Sequence, residues 1–239
     1  MNVIKIQRLS LENAIREVCL ALENTHQEQL SWSKMPEDAL WRELVACILG
    51  SRVRFEIAYS AVERMDKRQL FREHRRSSHF AQFERDITNA LFENGSVKKT
   101  ERYPFFRVRA NQIRRAAEWL YQNNGTLGSF LQNSHGVRAA RRQLAAEVSG
   151  LGPKQASLFL RNIGYADHVA VLDIHVLTYM SWVGLTETPV KSIPTVRKYE
   201  ALEDIFIEHA YSYGYTPNRF DLAVWVVVKV VKEVQGTWE

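Results

Sequence analysis

The stretch VRAARRQLAAEVSGLGPKQASLFLRNI, residues 137–163, confines the chain more than any other. Its first half has helical periodicity and ends near Val148. Gly150 and Gly152 then permit a tight turn that other residues would resist. Pro153 suits the first position of a second helix, where its missing N–H is no loss. Ala156, Phe159, Leu160 and Ile163 follow at i, i+3, i+4 and i+7, the spacing of a core-facing stripe. Two helices joined by so short a turn form a helix–hairpin–helix. The turn's free N–H groups, with the N-terminus of the second helix, make a natural phosphate seat.

Lys154 stands out within that hairpin. It occupies the first helical turn, where the helix dipole disfavours a cation. At 100° per residue it falls nearly opposite the core stripe, beside Leu158 and Arg161. That face meets either open water or a cleft.

The remaining chain also reads as helical. Leu40, Leu44, Cys47 and Ile48 follow helical spacing, and MPED at 35–38 puts a proline and acids at that helix's start. Further helices are predicted near 10–23, 53–65, 78–93, 110–122, 136–148, 154–163, 174–182, 197–212 and 218–234. ENGS, NNGTLGS, SGLGP and TETPVKSIP punctuate them. AVWVVVKVV, 223–231, is rich in β-branched residues, which favours a strand. No partner strand lies nearby, so a buried helix is expected. The class is all-α.

Composition excludes several roles. The chain has 239 residues, 46% apolar and 25% charged, ordinary for a globular protein of one large domain or two lobes. The longest apolar run, LAVWVVVKVV at 222–231, is too short for a bilayer and contains Lys229. The first residues hold no long apolar run or small-residue cleavage site, so no signal peptide is expected. Two cysteines, Cys19 and Cys47, cannot build a disulfide framework, a four-cysteine metal site or an iron–sulfur cluster. A reducing cytoplasm is the expected setting.

The net charge of +5 is modest, but its distribution is uneven. Residues 97–142 hold Lys98, Lys99, Arg102, Arg107, Arg109, Arg114, Arg115, Arg138, Arg141 and Arg142 against Glu101 and Glu118, a net +8. Such a run is either a solvated helix face or the footprint of a polyphosphate partner.

A second element is VAVLDIHVLTYMSWVGL, 169–185. An apolar run leads to Asp173, a good N-cap for the helix that follows. His175 either packs or hydrogen-bonds a phosphate.

SGLGPKQASLFLRNIGY followed by VLDIH resembles the helix–hairpin–helix DNA glycosylase superfamily. The lysine in the hairpin and the 19-residue step from Lys154 to Asp173 are similar to its bifunctional glycosylase/lyase members. FLRNIGYADHVAVLD, ELVACIL at 43–49, RANQIRRA at 109–116 and FDLAVW at 220–225 resemble the type-2 8-oxoguanine DNA glycosylase/lyase branch of archaea and some bacteria. The resemblance covers roughly 40–235.

It implies a two-lobed fold. A helical barrel lobe, 33–166, ends with the hairpin, and 1–32 joins 167–239 as the second lobe, with a cleft between them. It implies excision of an oxidised purine, most simply 8-oxoguanine, from double-stranded DNA. Lys154 is then the nucleophile, forming a Schiff base whose β-elimination nicks the strand. Asp173 stabilises the developing sugar cation. A lysine must be neutral to attack, and a helix N-terminus in a partly desolvated cleft favours that form.

The target base must leave the stack. Leu158, one turn beyond Lys154, would line its pocket. Trp225 matches a position that stacks on the base, and is otherwise plain core. Gly150, Gly152, Arg52 and His175 would touch the DNA. Arg52 stands where superfamily members commonly carry an amide-bearing wedge. The chain also runs past the usual family C-terminus with QGTWE, in a branch whose C-terminus helps read the base.

No metal or organic cofactor is implied, although hairpin carbonyls could hold a structural monovalent cation. A monomer, with no membrane partner, is expected in a prokaryotic cytoplasm. Two rivals stay open: the same chemistry on another modified base, and a non-catalytic DNA-binding module.

Overall fold

The computed structural model describes residues 8–23, 31–72, 79–93, 102–166, 168–190, 192–193 and 195–235. Among these, the regular elements are all helical. They are α1 (Arg8–Glu23), α2 (Glu37–Leu49), α3 (Phe55–Lys67), α4 (Phe80–Phe92), α5 (Phe106–Glu118), α6 (Leu127–Asn133), α7 (Val137–Glu147), α8 (Pro153–Asn162), α9 (Ile174–Trp182), α10 (Val196–Ser212) and α11 (Pro217–Gln235). The all-α expectation holds. The chain divides into two compact units. One is Leu30–Tyr165; the other joins Met1–Gln29 to Ala166–Glu239.

In the 30–165 unit, α2 is the central helix, and α3, α5, α6 and α8 pack against it. Leu40, Trp41, Leu44, Val45, Cys47, Ile48 and Leu49 are all buried, which wraps the apolar surface most of the way round the helix. Glu37, in its first turn, has a second task. Its carboxylate accepts the amides of Leu127 and Gly128 at 2.8 and 3.1 Å, and the Tyr121 hydroxyl at 2.9 Å. An anion at the first amides of α6 satisfies donors that the helix itself cannot.

Helix α6 is a correction: NNGTLGS carries the residues of a loop, yet a helix begins within it. Thr126 caps it, accepting Ser129 N at 3.0 Å, and Leu127, Phe130 and Leu131 are buried. Two glycines hid a helix of seven residues whose stability comes from its cap, Glu37 and burial.

The basic segment is also partly corrected. Lys98, Lys99 and Glu101 lie outside the described residues. Arg141 is wholly buried and donates to Ser157 Oγ at 3.2 Å. Arg114 pairs with Glu84 at 2.8 Å and Glu118 at 2.5 Å. Arg102 lies over the Phe92 ring, 3.8 Å from its centroid. These arginines serve packing and local pairing, so the segment is not one open basic face.

In the other unit, α1, α9 and α10 pack on α11. Ala223, Val224, Val227 and Val228 are buried with Phe220 at helical spacing. Valine costs a helix at most ~0.7 kcal/mol relative to alanine. Burying one valine side chain returns about 1.5 kcal/mol or more. Packing therefore outweighs the strand preference of AVWVVVKVV.

Each unit holds one cysteine, and both are buried. Burial pushes the Cys19 thiol up to about 11 and Cys47 well above its ordinary value. Among the described residues, no helix is long and apolar enough to cross a membrane.

Candidate active site

Residues of interest fall on both units, and each unit builds its part locally. In the 30–165 unit the hairpin forms as read. Helix α7 ends at Glu147 with Val148 as its C-cap, and Leu151 N returns to Val148 O at 3.1 Å. Gly150 lies at φ +89°, a region other residues avoid. A Cβ there would come within 2.6 Å of Gln112 Oε1, so that side chain would also have to move. Gly152 is different. It caps α8 at φ −84° and ψ 177°, and a Cβ there would meet nothing within 4 Å. The expectation that both glycines are needed by the turn is corrected: only Gly150 is.

Pro153 is the first residue of α8 and Lys154 the second. Ala156, Phe159, Leu160 and Ile163 are fully buried, as the stripe requires. Lys154 lies off that stripe and is half-buried. Leu158, one turn on, is half-buried and packs against the core of its own unit. Beside Lys154, Gln155 turns the other way and donates to Cys47 O at 2.7 Å.

Arg52 occupies the turn between α2 and α3. It is exposed, and its backbone is left-handed at φ 61°. For a residue with a Cβ this strain costs about 1–3 kcal/mol, and it persists only where neighbours enforce it.

In the other unit, Asp173 is the N-cap of α9. Its Oδ1 accepts His175 N at 2.8 Å and Val176 N at 2.9 Å. The apolar run before it lies outside any helix and is buried, so its backbone must find partners in a dry interior. Side chains from α10 and α11 supply them. Ala170 N donates to Glu203 Oε1 at 3.2 Å, Val171 N to Asp221 Oδ2 at 2.6 Å, and Leu172 N to the Tyr199 hydroxyl at 3.0 Å. The same hydroxyl donates to Ala170 O at 2.8 Å. Asp173 is thus fixed from both sides, by its own cap and by this brace.

His175 and Trp225 meet across α9 and α11, ring edge to ring face, with centroids 6.2 Å apart. Lys229 Nζ stands 4.9 Å from the Trp225 centroid. Trp225 is half-buried, neither open nor part of the closed core. Burial lowers the His175 pKa, Lys232 and Lys229 add to the fall, and Asp173 opposes it. Its Nδ1 is buried without a protein partner.

Lys232, absent from the residues the sequence singles out, donates to Thr178 Oγ1 at 2.8 Å. Burial lowers its pKa against the pull of Asp173. Trp225, Lys229 and Lys232 recur at i, i+4 and i+7 on α11, and that spacing was the available signal. Among the described residues, no group of three His, Cys, Asp or Glu side chains is placed to hold a metal ion.

Solved proteins share this arrangement of helices. An 8-oxoguanine DNA glycosylase of Thermotoga maritima superposes with a TM-score of 0.69 over 92% of this chain and 95% of its own, at 24% identity. A Methanocaldococcus jannaschii 8-oxoguanine glycosylase/lyase, solved with a 15mer DNA containing 8-oxoguanine, gives 0.61 over 91% and 88%, at 21% identity. In sequence, an 8-oxoguanine DNA glycosylase/AP lyase of Sulfolobus acidocaldarius is 28% identical over 199 residues, 83% of this chain and 86% of that protein. Residues 22–215, which include the hairpin, Lys154 and the Asp173 cap, match the family described as 8-oxoguanine DNA glycosylase. A hairpin lysine on one unit, a braced aspartate on the other and a match across both place the chain in a single lineage: it belongs to the 8-oxoguanine DNA glycosylase family.

Proposed function

We propose that the chain is a bifunctional DNA glycosylase/AP lyase that removes 8-oxoguanine from double-stranded DNA. The observation that carries the reading is the pairing of two local devices within one family match. Lys154 is the second residue of a hairpin helix, off its core stripe. Asp173 is a braced N-cap at the head of α9.

The reaction follows from those groups. Neutral Lys154 Nζ forms a bond to the sugar C1′ while the C1′–N9 bond breaks. The base leaves with that electron pair and takes up a proton. The sugar carbon becomes cationic during the step, and the Asp173 carboxylate offers the compensating charge. Loss of an Nζ proton and ring opening give a Schiff base. Removal of a C2′ proton then expels the 3′ phosphate, which cuts the strand, and water releases the lysine. The amine is both nucleophile and electron sink, so these steps call on no metal.

Gly150 and Gly152 offer hairpin N–H groups to a backbone phosphate, and His175, in the first turn of α9, lies beside the path of another without turning its buried Nδ1 to it. Arg52 reaches toward the DNA from its turn. Trp225 and Leu158 contact the flipped base. Of the C-terminal QGTWE, residues 236–239 lie outside the described residues.

The test is incubation with an 8-oxoguanine duplex, with strands resolved before and after alkali. Nicking without alkali, and a borohydride-trapped adduct, are the expected results. Excision from other lesion duplexes alone would move the reading to another base. Binding with neither product would leave a DNA-binding module.

A further inference from the structure

We infer that Arg109 and Gln112 are positioning residues that hold the Arg52 turn in register with the hairpin. The inference rests on the reading above and adds to it how the DNA-facing turn is set.

The last carbonyls of α2 and its following turn have no partners within the helix. Gly50 N and Ser51 N return to Ala46 O and Ile48 O, and side chains from two other segments take three more. Gln155 Nε2 donates to Cys47 O at 2.7 Å, the Tyr103 hydroxyl to Leu49 O at 2.6 Å, and Arg109 Nη2 to Ser51 O at 2.9 Å. The third bond falls on the residue before Arg52, whose left-handed backbone needs such a restraint.

Arg109 uses its other terminal nitrogen elsewhere. Nη1 donates to Gln112 Oε1 at 2.7 Å. That same oxygen and its Cδ lie 2.6 and 2.8 Å from where a Cβ at Gly150 would stand. A continuous path therefore runs from the hairpin through Gln112 and Arg109 to Ser51 and Arg52. Gln155, next to Lys154 in α8, grips the same end of α2 from the other side.

A buried guanidinium is an expensive way to fill space, since an apolar side chain does so without desolvating a charge. Arg109 is 8% exposed. Its planar fork joins two oxygens on separate segments at fixed spacing, which no apolar residue or lysine can do. The sequence hid this role, because Arg109 reads as one more member of a basic run.

The test uses the full chain with Arg109→Met, Gln112→Ala, Arg52→Ala, and each of the first two combined with the third. Base opening is read by 2-aminopurine fluorescence in the lesion duplex, excision by strand analysis, and the lysine step by borohydride trapping on a pre-formed abasic site. A misplaced turn should cut opening and excision at least about tenfold in Arg109→Met. Trapping on the abasic site should stay within about twofold, and adding Arg109→Met to Arg52→Ala should cost nothing further. Gln112→Ala should follow the same pattern with a smaller loss, and it decides the matter if Arg109→Met does not fold.

Additive losses with Arg52→Ala would overturn the inference, as would equal losses on lesion and abasic duplexes. So would an Arg52→Ala variant that opens the base normally. A wild-type chain that excises nothing and traps nothing would instead sink the glycosylase reading on which the inference stands.

Discussion

The amide of Val171 donates to Oδ2 of Asp221 at 2.6 Å, two residues ahead of the Asp173 cap. Asp221 is 2% exposed, so no water stands ready to replace it. Asp221→Ala strands a buried N–H, which costs about 1–3 kcal/mol. Asp221→Asn keeps an acceptor oxygen and should cost less. The expected order of thermal midpoints is wild type, then Asn, then Ala, with excision falling in the same order. Equal midpoints for the two variants would show that the Val171 amide finds another partner.

Lys154→Gln and Asp173→Asn separate chemistry from folding. Lys154→Gln removes the amine and should abolish both borohydride trapping and nicking, while duplex binding persists through phosphate contacts. Asp173→Asn retains an oxygen able to accept the His175 and Val176 amides. It should fold, yet lose most excision, since an amide carries no negative charge. Asp173→Ala should lose the cap as well, about 1 kcal/mol of stability. An adduct formed by Lys154→Gln would assign the nucleophile to another amine.

The two hairpin glycines should respond oppositely. Gly150→Ala faces a positive φ and a clash with Gln112, so its thermal midpoint should drop. Gly152→Val meets open space at an ordinary φ, so its midpoint should hold. If DNA backbone approaches Gly152, the valine should still weaken binding to abasic duplex at every salt concentration. A Gly152→Val protein with native affinity would take that side of the hairpin out of the DNA interface.

Stability should fall as the solution is acidified. His209 is held below its ordinary pKa of 6.5 by burial, with Arg8 adding to the fall and Glu12 opposing it. Its Nε2 lies 2.8 Å from the Tyr179 hydroxyl. The unfolded chain takes up a proton at about pH 6.5, where the folded chain does not. Stability is therefore full above that pH and declines as pH drops toward the folded pKa. Urea midpoints measured from pH 7.5 to 5.0 should show the decline, and His209→Gln should flatten it. An unchanged slope in the variant would shift the cause to other groups.

What could be read from the sequence was local and repeated. The α8 stripe needs only its own spacing, and Gly150 and Pro153 mark its start without any knowledge of the rest. Asp173 announced itself as a cap because caps act within three residues. Helix α11 was legible only by elimination, since its valines follow strand preference until α1, α9 and α10 bury them. The unread part depends on partners distant in the chain. Glu37 looks like first-turn acid of α2 alone, and its work on α6 spans about ninety residues. Asp221, Glu203 and Tyr199 look like ordinary helix positions until the 169–172 backbone comes to lie beside them. Arg109 and Arg141 look like surface charge because composition records sign and not burial.

The two buried thiols bear on how such an enzyme survives its working conditions. Its substrate accumulates when peroxide and related oxidants are abundant, and those oxidants attack thiolate rather than thiol. Cys19, pushed up to about 11, and Cys47, pushed well above its ordinary value, are held protonated and out of reach. Peroxide sufficient to consume free glutathione should leave both cysteines unmodified by mass spectrometry until the chain is denatured. Neither the lysine nor the aspartate of the proposed reaction is oxidisable at such doses. On the proposed reading, the chain keeps its chemistry intact in the same chemical weather that makes its substrate.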